Sequence, residues 1–154
     1  MSQVAKDLTT ASLEEIVKCL NLTAHPEGGF YTESYRCDRK SENGQSHCSA
    51  IYYLMTKEHG LAWHKLNGLD EMFHFYAGAP VEISLASPEG AFLEKKICGL
   101  DIFGGQRPQV LVPADHWQSA KCLGEWTLYG VIVSPGFEIQ YSEQAPDGWK
   151  PTGI

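Results

Sequence analysis

The chain has 154 residues, 43% of them apolar, and carries twelve Lys and Arg against nineteen Asp and Glu for a formal charge of −7. That length buries one sizeable core and not two, so a single domain over 1–154 is expected. The acidic balance, with no basic run longer than two residues, excludes nucleic acid and anionic membrane surfaces from the expected partners.

The amino-terminal MSQVAKDLTTASLEE has no apolar run of signal-peptide length, and no later segment approaches the roughly 18 apolar residues of a spanning helix. A cytoplasmic location is expected. Ser12-Leu13-Glu14-Glu15 reads as a capping box, after which Leu13, Ile16, Val17 and Leu20 share one face, predicting a helix over 12–22. The period then changes from about 3.6 to 2. Strands are predicted at 30–37, 47–55, 62–66, 71–77, 80–86, 91–98, 108–112, 116–123, 126–134 and 136–142. Between them lie turn signals such as Asn67-Gly68, Pro88-Glu89-Gly90, Gly104-Gly105 and Pro135-Gly136. Short strands with tight turns predict an all-β sandwich or barrel, because closure manages so many sheet edges. Five cysteines without a C-x-x-C pair fit a reducing compartment and neither a disulfide framework nor a zinc ribbon.

The stretch HKLNGLDEMFHFYAG, 64–78, carries the chemistry. Residues two apart in a strand share a face, so His64 pairs with Leu66, and Glu71 with Phe73 and Phe75. Read as a hairpin about Asn67-Gly68 that lines a barrel, it brings His64 and Glu71 together inside and turns His74 to the other face.

These residues resemble the first motif of the cupin superfamily, H-x-H, three or four residues, E, six residues, G. His64, Leu66, Glu71 and Gly78 fall on its positions, with Leu66 in place of the second histidine. Pro113-Ala114-Asp115-His116-Trp117-Gln118 is similar to the second motif, P-x-G-x-x-H, with Gln118 in the histidine position. Together with HPEGGFYTESYR (25–36), SAIYYLM (49–55), GQRPQVLVP (105–113) and SPGF (134–137), the chain resembles the small DUF985-type cupin family labelled predicted sugar epimerases. The resemblance covers a core of about 12–143 and implies a cupin jelly-roll β-barrel with one short amino-terminal helix. It also implies a homodimer paired through the strand near 27–37.

For the site, the resemblance implies a pocket around His64, Glu71 and Gln118. A metal-dependent cupin oxygenase or isomerase would place a divalent metal on His64, Glu71 and either Gln118 or His116. Transition metals draw affinity from imidazole and thiolate donors, however, and an amide is a weak substitute, so no cofactor is the favoured expectation. Without metal, an imidazole enclosed with a carboxylate suits proton transfer. Cupin-fold sugar-nucleotide epimerases use a histidine base and a tyrosine acid, which makes His64 the base candidate and Tyr53 or Tyr129 the acid candidates. The expected ligand is a small polar metabolite, carbohydrate-like or a keto acid, and the expected reaction an epimerisation or isomerisation. A non-catalytic metabolite-binding module is the alternative. Phe73, Phe75 and Tyr129 would form the pocket wall, Glu33 and Arg36 would line or gate it, and Arg107 could clamp a carboxylate or phosphate.

Overall fold

The computed structural model describes residues 6–154, and the reading of residues 1–5 as free of a leader lies outside them. Ser12 accepts from the Glu15 amide at 3.3 Å, and Glu15 accepts from the Ser12 amide at 2.8 Å. The capping box thus starts helix α1, Leu13–Cys19. The helix stops short of the predicted 22 because Asn21 turns left-handed at φ 52°. Its amide bonds the Lys18 carbonyl and the Leu22 amide bonds that of Val17, a Schellman stop that the leucine periodicity conceals. Ile16 and Leu22 are buried with Leu54 and Leu128, so α1 lies on the outer face of a sheet.

The strands that follow are β1 (Thr23–Ala24), β2 (Phe30–Arg36), β3 (Ser49–Thr56), β4 (Leu61–Leu66), β5 (Asp70–Gly78), β6 (Val81–Ala86), β7 (Phe92–Cys98), β8 (Gln109–Val112), β9 (Trp117–Cys122), β10 (Trp126–Ser134) and β11 (Ser142–Gln144). They form two antiparallel sheets, β1-β2-β3-β10-β5-β8 and β11-β4-β9-β6-β7, in a jelly-roll β-sandwich. Inward residues of both sheets, among them Met55, Leu66, Phe73, Ile83, Val110, Ala120 and Val131, make one core. Gly78 ends β5 at φ 85°, where a Cβ would lie 2.5 Å from the Trp126 carbonyl, which explains the glycine at that position of the motif. The carboxy-terminal tail is tied down by Trp149, which packs on Trp63 at 5.8 Å and on Trp117 at 4.7 Å.

Besides the helix end, two further predictions differ from the structure. The strand expected at 136–142 is a 3-10 turn, Ile139–Tyr141, followed by β11 on the edge beside β4. The larger difference is at Asn67-Gly68. β4 pairs with β9 and β11, while β5 pairs with β10 and β8, so this turn is an arch between the sheets and not a hairpin. The Asp115 carboxylate accepts from the Gly68 amide at 2.9 Å, and that of Asp70 accepts from the Ala114 amide at 2.8 Å, which holds the arch to the loop before β9. Among the described residues, no helix is long and apolar enough to cross a membrane.

Candidate functional site

Because β4 and β5 face each other across the sandwich, their inward residues meet without strand pairing. His64, 9% exposed, lies on β4 directly opposite Gln118 of β9, which is fully buried. Glu71, 7% exposed, projects from β5 in the other sheet, and the Gln118 amide nitrogen donates to its Oε1. The Gln118 carbonyl oxygen has no partner. Burial pushes the Glu71 carboxyl above its ordinary value of 4.5, opposed by the charge of His64 and the bond from Gln118.

The raised proton affinity of Glu71 has a measurable effect on stability. The favourable contribution of the protonated carboxyl is complete below pH 4.5 and is lost as the pH rises through the higher folded value, because the unfolded chain ionises first. Glu71→Gln, which cannot ionise, should therefore gain on the wild type as the pH rises through the window between the unfolded value of 4.5 and the higher folded one. The difference grows by up to about 1.4 kcal/mol per pH unit inside that window. Urea unfolding at a series of pH values measures it, and a gap that narrows with rising pH would contradict the assignment.

The His64 Nδ1–H donates to the Ala62 carbonyl at 2.8 Å, so the neutral ring keeps a bare lone pair on Nε2. A column of rings runs through the core between the sheets. Phe73 stacks on Tyr129 and Tyr129 on Tyr53, each at 5.3 Å, and Tyr53 meets His25 at 5.1 Å. The Tyr53 hydroxyl donates to the Gly28 carbonyl at 2.6 Å. The Tyr129 hydroxyl, fully buried, has no partner, and burial pushes its proton affinity up. Buried polar atoms are nearly always satisfied, so the unpaired Gln118 oxygen and Tyr129 hydroxyl in one interior point to a polar guest.

The structure therefore brings together His64, Glu71, Gln118, Tyr53, Tyr129 and Phe73, with Phe75 half-buried against the same core. Glu33 and Arg36 lie on an exposed part of β2, where two guanidinium nitrogens, Nε and Nη2, donate to the carboxylate at 2.9 and 2.7 Å and Nη2 also reaches the Phe137 carbonyl at 2.8 Å. They brace the edge of the sandwich against the loop before β11. Arg107 is exposed in the loop between β7 and β8, donating to the Gln106 and Ile102 carbonyls at 2.7 and 3.3 Å, and it borders a surface groove with Lys95 and Gln109 that does not include His64. His116 turns its Nδ1–H to the Ala114 carbonyl at 3.0 Å and sits beside Glu89. His74 faces outward, with Nδ1 3.2 Å from the Gln109 amide, as strand parity predicts.

His25 was not among the residues singled out from the sequence. It belongs to the site through its contact with Tyr53 and through the effect of His64 on its proton affinity. Its signal was the loop HPEGG, in which a proline and two glycines specify a fixed backbone path immediately after an imidazole.

A resident transition metal fits these residues poorly. The aligned donors are one imidazole, one carboxylate already engaged by an amide, and that amide, and Leu66 shares the face of His64 where a further imidazole would serve. Among the described residues, no three His, Cys, Asp or Glu side chains cluster as a metal site.

Comparison with known proteins agrees with the architecture. A family model described as Cupin superfamily (DUF985) matches residues 14–145. An uncharacterized protein of Saccharomyces cerevisiae is 25% identical over 150 residues, covering 84% of this chain and 73% of that protein. The crystal structure of a protein from Shewanella oneidensis superposes with a TM-score of 0.81 at 34% identity, over 88% of this chain and 85% of that one. Oxalate decarboxylase of Bacillus subtilis shares the fold alone, with a TM-score of 0.58 at 11% identity over 79% of this chain and 29% of that one.

Proposed function

From the premise that this chain belongs to the DUF985 family of the cupin superfamily, we propose that it is a metal-independent isomerase or epimerase acting on a small carbonyl compound, a keto-sugar or keto acid. His64 serves as the base. The observation that carries this reading is the tautomer of His64: a backbone carbonyl occupies Nδ1–H and leaves the Nε2 lone pair bare on a buried residue near the Glu71 carboxyl. A hydrogen next to a carbonyl is acidic enough for such a base once the developing charge on oxygen is stabilised. The imidazolium that forms favours ionisation of Glu71, whose negative charge then balances it, and the unpaired Gln118 oxygen and Tyr129 hydroxyl offer polar contacts to the substrate.

The test is hydrogen exchange. In deuterated water, the protein should wash out the proton next to the carbonyl of one member of a panel of keto-sugars and α-keto acids, read by proton NMR before net product accumulates. If no member exchanges, while one binds and His64→Ala abolishes that binding, the protein is a metabolite-binding module instead.

The same reading includes a homodimer. Among the described residues, β1 covers β2 only at Tyr31 and Phe30, which leaves the backbone of 32–36 without a strand neighbour on that side. Such an edge invites pairing with a second copy. Sedimentation at tens of micromolar, on the order of a weak association constant, should report twice the 17.1 kDa of the chain. A monomer at that concentration would remove the dimer from the proposal.

A further inference from the structure

Loop 25–29 directs its hydrogen bonds to holding one imidazole. The His25 amide donates to the Gly29 carbonyl at 2.9 Å, the Gly28 amide donates back to the His25 carbonyl at 3.0 Å, and the Tyr53 hydroxyl anchors the Gly28 carbonyl. This path needs left-handed backbone at Gly28 (φ 101°) and Gly29 (φ 73°). A Cβ would strike the His59 ring at the first and lie 2.5 Å from the Leu54 carbonyl at the second. The ring itself sits edge-on to Tyr31 at 4.9 Å and tilted against Tyr53. The Glu27 amide donates to His25 Nδ1 at 3.1 Å, so the neutral ring carries its proton on Nε2. His64 has the opposite tautomer, with Nδ1 protonated and Nε2 bare.

The two imidazoles, one half-buried and one buried, have complementary tautomers, His25 a donor and His64 an acceptor at Nε2, and the charge of His64 lowers the proton affinity of His25. Resting on the proton-transfer reading above, we propose that His25 is a catalytic residue whose Nε2–H binds the substrate carbonyl oxygen and holds the negative charge that gathers there. In the step, His64 Nε2 takes the proton from the carbon next to the carbonyl. The electron pair of that C–H bond becomes the new C=C bond, and the carbonyl π pair moves onto oxygen, where the His25 N–H donates without giving up its proton. Return of a proton from the His64 imidazolium to carbon reverses the electron flow and restores the carbonyl, with no oxidant, reductant or leaving group. A neutral donor suits this role. Burial lowers the proton affinity of His25, Glu27 opposes that effect and His64 reinforces it, so the ring stays neutral when His64 becomes cationic.

Two measurements test the assignment on the full chain. Nitrogen-15 NMR of the imidazoles should find the proton of His25 on Nε2 and that of His64 on Nδ1. A proton on His25 Nδ1 overturns the proposal whatever the exchange result. With the keto-sugar or keto acid that the wild type exchanges, His25→Phe, which keeps a ring against Tyr31 and Tyr53, should slow exchange about 10²–10³-fold through kcat with little change in KM. His25→Gln, which restores an N–H donor, should recover part of that loss. Full-rate exchange in His25→Phe overturns the role of His25 and leaves the His64 base standing. Absence of exchange in the wild type across the whole panel removes both.

Discussion

Replacing His64 with alanine should lower exchange of the hydrogen next to the substrate carbonyl by about 10²–10⁴-fold, the usual contribution of a positioned general base. The magnitude follows from the tautomers of the two imidazoles. His25 accepts a backbone N–H on Nδ1 and carries its own proton on Nε2, so when neutral it has no free lone pair to replace the one that His64 loses. Glu71 is a poor substitute, since its carboxyl is held towards the protonated form by burial and one oxygen is occupied by Gln118. The fold should survive, because among the described residues the one hydrogen bond of the His64 side chain goes to the Ala62 carbonyl, two residues earlier in the same strand. Losing that bond costs about 1–3 kcal/mol if the carbonyl stays dry. Exchange by NMR and a thermal melt on the same sample separate the two effects. Undiminished exchange in a folded His64→Ala protein would sink the mechanism.

Phe73→Ala should cost about 3–5 kcal/mol, the range for emptying a buried aromatic site. Phe73 is 1% exposed at the centre of β5, packed between the two sheets and stacked on Tyr129. Neighbouring strands restrict collapse of the cavity, because β5 is paired on both sides, with β10 and β8. The damage should also travel along the rings. Tyr129 supports Tyr53, and the hydroxyl of Tyr53 anchors the loop that aims His25. Urea unfolding measures the stability loss, and the imidazole NMR signals of His25 should broaden or shift while those of the exposed His47 stay in place. A loss below about 1 kcal/mol would mean that the site repacks and that the column is not a rigid support.

Local features were read well from the sequence. The capping box at Ser12, the change of period after the helix and the inward parity of His64, Leu66, Glu71 and Phe73 all appear in the structure, as does the outward face of His74. Each depends on the geometry of a few consecutive residues. The end of the helix was misjudged for the same reason in reverse: Leu20 and Leu22 continue the apolar pattern, and only the left-handed Asn21 shows that Leu22 reaches the core from outside the helix.

The sequence by itself thus determined the all-β class, the cupin motif and the face on which each strand residue lies, because an extended chain alternates sides regardless of its partners. Only the tertiary structure decided which strands pair. Asn67-Gly68 has a turn conformation, Gly68 at φ 73°, that the reading as a hairpin did not distinguish from an arch. Burial of both apolar faces between two sheets is what separates β4 from β5 and sets Gln118 against Glu71. The inclusion of His25, far from His64 in the chain, and the placing of Arg107 and His116 on other contacts were decided in the same way. Such contacts arise from long-range packing, whose free energy is a property of the assembled core and of no single segment.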